Sequence, residues 1–482
     1  MTRSIVALLA SLCAVAGLFV IAAWAARRTH NTADYLIANR RLGAWLTAFG
    51  YIGNCLSSWL VVALVAAAFR MGRSAVWMAC GILLGSILNL WFVGPRLRVL
   101  GTGNVSLTQV ICSDAGDRLQ PVLVRSAALI VLFSLALQSA VLLHFGAAYL
   151  GTDLAFDVGR ATLIPLILIA IALFAGGMRA AAVFDAAQSI AILFIVVVST
   201  VAGLVLLGGP GTLAAGLNVF EPAVSAWDAA KSGVVAVAFF GGLVGFGAAL
   251  FGQPAALVRF LAVRDEHALK AAKGIALGWI AIALAVALVC GWSARVLYAG
   301  LEFSERSVFA LSERLLPPWV SAVFAVVGVS AVFCATAGPL LTLATQFSVD
   351  LKRSTSPLSE GWTRLALVIV SIAVVAAALA IPTVGLDQAV FAFTAVGATF
   401  GPVLLVRLSG KRIRPACILG AMWSGFLLTA LFHFLPDSPG DFMERVLPFL
   451  AALGIALTGG ERRRNPDRAD RSQETVHDRV PI

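Results

Sequence analysis

Charged side chains are scarce in this chain. Asp, Glu, Lys and Arg make up only 12% of its 482 residues, whereas 60% are hydrophobic and the mean hydropathy is +0.95. A soluble globular domain has about 25% charged and about 45–50% apolar residues. So small a polar fraction cannot cover a surface in water, which excludes a soluble fold and favours a protein that crosses the lipid bilayer many times.

Motifs for enzymatic chemistry are lacking as well. The seven cysteines are scattered without a CxxC pair, and there are only five histidines, so neither a disulfide framework nor a zinc site is indicated. No HExxH motif and no intramembrane nucleophile–base pair occurs. The net charge of +11 has no soluble basic domain behind it, so nucleic acid is not an expected partner. We expect a membrane protein that is not an enzyme and carries no cofactor.

Long apolar runs dominate what is present. A helix needs about 20 apolar residues to span the hydrocarbon core of a bilayer, and thirteen segments come close to this length or exceed it. They are residues 5–26, 43–69, 74–94, 124–150, 159–177, 181–208, 232–253, 273–298, 317–347, 362–382, 387–408, 414–435 and 444–459. The sequence thus predicts an all-α integral membrane fold with about thirteen transmembrane helices.

The basic residues predict the orientation of these helices. If the N-terminus is outside, most of the 35 Lys and Arg residues fall in inner loops, among them Arg179 and Arg259. Because basic residues resist translocation, we predict an outer N-terminus and a cytoplasmic C-terminus. Arg27 and Arg28 directly follow the first apolar run, which argues against a cleaved signal peptide.

Four parts follow from these boundaries. They are a first transmembrane helix (1–30), a transporter core (43–410), two C-terminal helices (411–460) and a disordered cytoplasmic tail (461–482). The core divides into two sets of five spans, 43–208 and 232–408. Because five is odd, the second set is inverted in the membrane relative to the first, as in alternating-access transporters.

Two segments at matching places in the two sets carry residues that weaken a helix. The second span has Gly50, Gly53 and Asn54 in its middle, and the seventh has four glycines within residues 241–247 followed by the segment 252–254, Gly-Gln-Pro. Discontinuous helices free backbone groups to bind a substrate or an ion in the membrane. The pattern therefore favours a secondary transporter, although glycine also permits close helix packing in membranes.

Four motifs resemble the solute:sodium symporter family, which includes bacterial sodium/proline symporters. The segment 32–43 is similar to the loop before the second helix of that family, and 250–254 to its Gly-Gln-Pro segment. Residues 396–404 resemble its eleventh helix, and Gly176-Gly177 with Asp185 and Gln188 the start of its sixth. The resemblance implies a five-plus-five inverted-repeat core like that of the bacterial leucine transporter. It also implies sodium-driven uptake of a small organic solute, such as an amino acid or a carboxylate, across a bacterial-type plasma (inner) membrane.

The resemblance also implies a sodium site between helices 2 and 9. Its expected ligands are the carbonyls of Gly53, Leu56 and Ala331 and two side-chain hydroxyls, whose positions hold Cys334 and Ala335 here. A hard cation prefers oxygen ligands, so these two positions depart from the family pattern.

Three further residues bear on the coupling ion. Thr336 follows those two positions directly and supplies the hydroxyl that a small shift in register would bring in. Cys55 stands where proline symporters carry an Asp, and Asp185 matches a family Asp that either helps the ion to leave or only caps a helix.

The expected solute-binding positions lie in the two interruptions. The resemblance places them at Ser57, Ser58, Trp59, Ala63, Phe246, Leu250, Gln253 and Pro254. Trp59 has an alternative role as a packing or interface residue, and the two serines as back-bonded helix residues.

Two alternative functions stay open beside sodium symport. The first is a proton-coupled or uncoupled carrier of the same fold, in which Asp185, His144 and His433 would be the candidates to carry the proton. The second is a degenerate transporter that serves as a membrane sensor or partner subunit. In the symport hypothesis the partners are a small solute, a coupling cation (Na⁺ or H⁺) and the bilayer, and the oligomeric state is left open.

Overall fold

The chain folds almost entirely into helices, as the sequence predicts. A computed structural model describes residues 3–462 apart from 57, 114, 115, 117, 155–157, 220–232, 299–306, 352–359, 381–385 and 437. In lipid every backbone N–H and C=O must be bonded within the protein, and a helix achieves this within one segment.

The described residues of the first half of the chain form ten α-helices. They are α1 (Arg3–Ala26), α2 (Thr32–Ile37), α3 (Ala44–Cys55), α4 (Ser58–Met71), α5 (Ala75–Leu88), α6 (Gly94–Leu100), α7 (Leu107–Cys112), α8 (Gln120–Leu154), α9 (Val158–Leu207) and α10 (Pro210–Val219). A π-helical turn, Asn89–Val93, joins α5 to α6.

In the second half, the part of the chain that the structure describes forms eleven α-helices and two short strands. They are α11 (Gly233–Gly245), α12 (Pro254–Ala262), α13 (Glu266–Leu297), α14 (Ser307–Leu315), α15 (Pro318–Cys334), α16 (Ala337–Thr345), α17 (Glu360–Ala380), α18 (Leu386–Leu408), β1 (Lys411–Ile413), α19 (Pro415–His433), α20 (Phe442–Arg445), α21 (Leu447–Thr458) and β2 (Gly460–Arg462). A 3₁₀ segment, Phe246–Gly252, separates α11 from α12, and a π-helical turn, Gln346–Asp350, follows α16.

Ten helical stretches in the described part of the chain are long and apolar enough to cross a membrane. Two of them have 41 and 46 residues, and at 1.5 Å per residue each is long enough to cross a core of about 30 Å twice. The prediction of a multi-pass all-α membrane fold is confirmed, and the count of thirteen stays a prediction.

The longer of these two stretches is kinked at a glycine. Gly177 in α9 has φ +50° and ψ −132°, which breaks the helical path. A Cβ there would meet the ring of Tyr35 at 2.8 Å, so both the backbone angle and the close approach require glycine. The predicted boundary between spans 159–177 and 181–208 falls at this kink.

One end of the bundle gathers basic loops, and we call it the basic end. Arg40 donates to the Arg98 carbonyl at 2.7 Å, and the backbone of Leu42 pairs with Ala262 and Arg264 at 3.0 and 2.9 Å. The strand pair β1–β2 is antiparallel and joins Arg412 to Glu461. Glu461 and Arg462, predicted to begin a disordered tail, are therefore in a strand, because β1 offers them a backbone partner. The rest of that tail lies outside the described residues.

Arg259 corrects the predicted set of loop residues. It lies within α12, and its side chain is 1% exposed. The orientation argument placed it in an inner loop because a lone Arg after an apolar run is typical of a membrane boundary. A buried carboxylate from another helix stabilises it instead.

Candidate functional site

The first interruption separates α3 from α4. The α-helix ends at Cys55, Leu56 follows as its C-cap, and the helix resumes at Ser58. Cys55 and Leu56 are fully buried, and Ala63 on α4 is 7% exposed. Ser57 and the side chains of Ser58 and Trp59, predicted to bind solute, lie outside what the structure describes.

The second interruption is longer. After Gly245 the chain narrows to a 3₁₀ helix, passes through extended backbone at Gln253 (φ −74°, ψ 104°), and resumes an α-helix at Pro254. The Gln253 amide nitrogen donates to the carbonyls of Ala249 and Phe393, at 2.9 Å each. Gln253 thus bonds the Ala249 carbonyl within the interruption and links this segment to α18 through the Phe393 carbonyl. Pro254 suits the first helical position because it needs no N–H there.

The wall of the second interruption is aromatic on one side. Phe246 is fully buried and stacks on Phe393 of α18, with ring centroids 5.6 Å apart. Leu250 is also fully buried. Of the predicted solute-binding positions that the structure describes, Phe246, Leu250, Gln253 and Pro254 lie in this one segment.

Helix α5 supports the 3₁₀ segment at very short range. A Cβ added at Gly247 would overlap the Gly81 carbonyl, and one at Gly85 would overlap the Gly247 carbonyl. Below these glycines the Asn89 side chain donates to the Leu250 carbonyl at 2.8 Å. The interruption is therefore attached to α5 by backbone contacts and by a buried hydrogen bond.

A buried polar cluster joins α3, α9 and α12. Arg259 donates to Asp185 at 2.6 Å, and the two side chains are 1% and 0% exposed. Asn54 donates to the same carboxylate oxygen of Asp185 at 2.9 Å, and Gln188 to the other at 3.3 Å. Arg259 also contacts the sulfur of Met178. A carboxylate with one cation and two amide donors is well compensated for its burial.

The same cluster borders the predicted ion site. Gln188 donates to the Gly53 carbonyl at 3.1 Å, and a Cβ at Gly53 would stand 2.7 Å from that of Asp185. Cys334 lies close enough to Asp185 to interact with it electrostatically. The structure thus brings the end of α3 and the end of α15 to one place.

The ninth predicted span, residues 317–347, is interrupted as well, and the sequence argument missed this break. We call this span, which consists of α15 and α16, helix 9; it is distinct from α9. The α-helix ends at Cys334, and a new one starts at Ala337. The Thr336 hydroxyl donates to the Phe333 carbonyl at 2.7 Å, so its lone pairs remain able to bind a cation. The Ala331 carbonyl accepts the backbone N–H of Ala335 at 3.1 Å.

Asn54 is a site residue that the sequence argument did not single out. Its nitrogen donates to the Gly50 carbonyl and to Asp185, whereas its side-chain oxygen is buried with no hydrogen-bond partner in the described structure. A Cβ at Gly338 would overlap that oxygen. An acceptor therefore points at the interruption of helix 9, where Cys334 and Ala335 offer no hydroxyl.

A second buried carboxylate lies at the end of helix 9. Asp350 is 4% exposed and accepts from the Gln109 amide at 2.9 Å. Its other oxygen has no hydrogen-bond partner among the residues described. A narrow crevice nearby is lined by Met178, Pro254, Val258, Thr342, Thr345 and Gln346. The helices α12 and α16, which follow the interruptions of the seventh and ninth predicted spans, therefore face one gap.

The two histidines proposed as proton carriers lie apart from this cluster. The His144 ring is 3.4 Å from the Ala378 carbonyl, and His433 is 3.3 Å from the Glu444 carboxylate and stacks on Phe391. His433 is thus paired and packed. Within the described ranges, neither histidine forms a hydrogen bond or an ion pair with Asp185.

Comparisons with known proteins agree with this architecture. The family model described as "Sodium:solute symporter family" matches residues 35–427. The sodium/proline symporter of Salmonella typhimurium is 28% identical over 87% of this chain and 88% of its own. The high-affinity proline transporter PutP of Bacillus subtilis is 26% identical over 90% of this chain and 93% of its own.

A solved structure shares the fold. It is a Na⁺-coupled sialic acid symporter in a substrate-bound, outward-open state, with a TM-score of 0.81 and 14% identity over 95% of this chain and 99% of that one. At this identity the likeness shows the arrangement of helices and not the solute.

Proposed function

We infer the transport mechanism of this chain from its family, because the chain belongs to the sodium:solute symporter family. Its paired interruptions enclose one solute site, which is reached alternately from the two faces of the membrane. As a member of the family it is a secondary active symporter of a small solute. The observation that carries the finer proposal is the meeting of interrupted helices. Gly50 lies against the Arg259 side chain and Tyr51 stacks on Phe260 with centroids 5.2 Å apart, so α3 and α12 pack side by side.

The proposed solute is a small organic molecule such as an amino acid or a carboxylate. Helix interruptions supply free backbone groups for its polar part, and Phe246 and Leu250 supply an apolar wall. The site belongs in a bacterial-type plasma membrane, with the N-terminus outside and the basic end in the cytoplasm, since basic loops resist translocation.

Sodium is the proposed coupling ion, held by a modified set of oxygens. Its expected backbone ligands are the carbonyls of Gly53, Leu56 and Ala331, since a carbonyl oxygen has two lone pairs. Thr336 and Asn54 replace the hydroxyls lost at the two preceding positions. The interrupted ends of α3 and α15 also direct the negative ends of their helix dipoles at the ion.

A sodium-independent carrier is the second candidate. The ion pair of Arg259 with Asp185 favours it, because a resident guanidinium already neutralises the nearest carboxylate. Cys334 and Ala335 favour it as well, since neither is an oxygen ligand.

The test is a sodium titration of the purified full-length protein, against choline at constant ionic strength. A bound ion stabilises by about 2.7 kcal/mol at a hundredfold excess over its dissociation constant. We expect a saturable, sodium-specific rise in thermal stability. We expect Thr336→Val and Asn54→Ala to weaken this response. The control is Asn218→Ala, in α10 and outside the proposed ion site, which should leave the response unchanged.

A gain-of-function pair sharpens the test. Cys334→Ser with Ala335→Thr restores two hydroxyls and should raise the affinity for sodium about tenfold or more, equivalent to about 1.4 kcal/mol. Solute flux into proteoliposomes that is equal in sodium and choline would favour the second candidate. Absence of flux for every solute would favour the sensor alternative.

A further inference from the structure

The segment between α19 and α21 covers the second interruption at the end opposite the basic end. We call residues 438–446, with α20 inside them, the lid segment. A Cβ at Gly242 of α11 would overlap the Gly440 carbonyl, and one at Gly440 (φ +65°) would overlap Phe239. Backbone therefore meets backbone, and the lid segment is seated firmly on α11.

Arg445 of the lid segment lies against the aromatic wall of the second interruption. The guanidinium carbon of Arg445 lies 5.5 Å from the ring centroid of Phe246, and the side chain is 11% exposed. One nitrogen pairs with Asp441 at 2.5 Å, and another donates weakly to the Gly440 carbonyl at 3.5 Å. The Nε–H is buried and has no partner among described residues.

Two carboxylates lie near Arg445, and neither accepts a hydrogen bond from its Nε–H in the described structure. Asp441 is 37% exposed and so holds the side of the guanidinium nearer to water. Glu444 points to His433, at 3.3 Å. A guanidinium carries five N–H donors in a fixed fork, and the contacts above engage only part of that fork.

We propose that Arg445 binds the carboxylate of the transported solute, so that the site selects organic acids and amino acids over uncharged solutes. An arginine fork matches a carboxylate in geometry and charge, and such a hydrogen bond is about twice as strong as a neutral one. Phe246 and Phe393 then receive the apolar body of the solute. Proline and sialic acid, the solutes in the names of the relatives, both carry a carboxylate. This inference rests on the proposed function, because it names the solute class of that same site.

A purely structural role makes a different prediction. If Arg445 only holds the turn of the lid segment, its replacement lowers stability equally with and without solute. If it binds the solute, replacement removes the dependence on the carboxylate. The readout is therefore the difference in affinity between each acid and its amide, measured on the same variant.

The experiment measures thermal stability and counterflow of the full-length protein against a panel of L-proline, L-alanine, pyruvate and N-acetylneuraminic acid, each with its amide. We expect at least one acid to bind at least tenfold more tightly than its amide. Arg445→Gln should abolish this preference, Arg445→Lys should keep part of it, and Asp441→Asn should increase it by removing a competing carboxylate. The control is Arg314→Gln, another cation above an aromatic ring, 5.9 Å from Tyr298 but exposed, which should change nothing.

Three outcomes would overturn the proposal. They are an acid–amide preference that survives in Arg445→Gln, binding of amides or other uncharged solutes in preference to acids, and absence of binding by every acid in the panel. If Arg445→Gln fails to fold, the acid–amide comparison on the native protein and on Asp441→Asn still decides. Flux of an uncharged solute would leave the proposed function standing while removing this inference.

Discussion

Two buried carboxylates, Asp185 and Asp350, are held in opposite ways. Asp185 on α9 is fully enclosed and faces a guanidinium at 2.6 Å. Asp350 at the end of helix 9 is 4% exposed and receives the neutral Gln109 amide at 2.9 Å. Within the described residues, no ion pair compensates Asp350. The first carboxylate is held in a closed network of donors, whereas the second has one oxygen that accepts no hydrogen bond from the described residues.

The difference indicates that Asp185 has a structural part to play. A buried ion pair is costly to break, because one member is left uncompensated. Asp185 is therefore suited to fix α3, α9 and α12 together beside the ion site. The prediction that Asp185 only caps a helix does not describe this geometry, since it lies in the interior of α9 and bonds across to Arg259.

The largest effect is expected from breaking the ion pair. Arg259→Gln should lower the free energy of unfolding by about 3–5 kcal/mol, because Asp185 is left buried without its cation. The double variant Arg259→Gln with Asp185→Asn should recover a large part of the loss, since it leaves no unpaired charge. Denaturant unfolding in detergent measures both variants, and equal losses in the single and double variants would contradict the pairing.

A smaller effect is expected from crowding the same network. Gly53→Ala would place a methyl group 2.7 Å from the Asp185 Cβ and should cost about 1–3 kcal/mol by overpacking. Gly43→Ala is the matched control, because no atom lies within 4 Å of the place that its Cβ would take and its φ is −75°. Thermal unfolding measures both variants. Equal losses of stability in the two would contradict the close approach at Gly53.

A still smaller effect is expected at the second carboxylate. Asp350→Asn keeps an oxygen that can accept from Gln109, so the free energy of unfolding should change by about 1 kcal/mol or less. Asp350→Ala leaves that amide unpaired and should cost more, on the order of 1–3 kcal/mol. A loss in Asp350→Asn as large as that in Arg259→Gln would show that this carboxylate too depends on an ionic partner.

The smallest effect is expected at a carboxylate outside the membrane spans. Asp265 caps α13, and the Ala268 backbone N–H, followed by Arg264, holds the pKa of its carboxyl below the usual value. Its contribution is therefore present above the unfolded pKa of about 3.9 and is lost as pH falls through the lower folded value. As the pH falls below about 4 and through the folded pKa, the native protein should lose stability that Asp265→Asn, which still caps but does not titrate, retains. Parallel pH profiles of stability would contradict this role.

Sequence reasoning predicted the two long interruptions because glycine and proline mark them directly. It missed the interruption at Ala335–Thr336, although Gly338 and Pro339 follow directly and Pro339 has no N–H to donate to the Ala335 carbonyl. It also placed Arg259 in a loop, because the partner that stabilises it is 74 positions away in the chain. Asn54 was among the residues that the sequence argument noted in the middle of the second span. That its side-chain oxygen lacks a hydrogen-bond partner could not be predicted, because this depends on how closely Gly338 packs against it. Which residues are near the site was therefore predictable, and which atoms face it was not.

The glycine contacts between α5 and the 3₁₀ segment have a mechanical consequence. Two backbones in direct contact at Gly81 and Gly247, with Asn89 bonded to Leu250, leave no compliant side chains between them to absorb displacement. We therefore expect α5 and the second interruption to move together as one rigid unit. Alternating access commonly proceeds by rocking of such a unit against the rest of the protein.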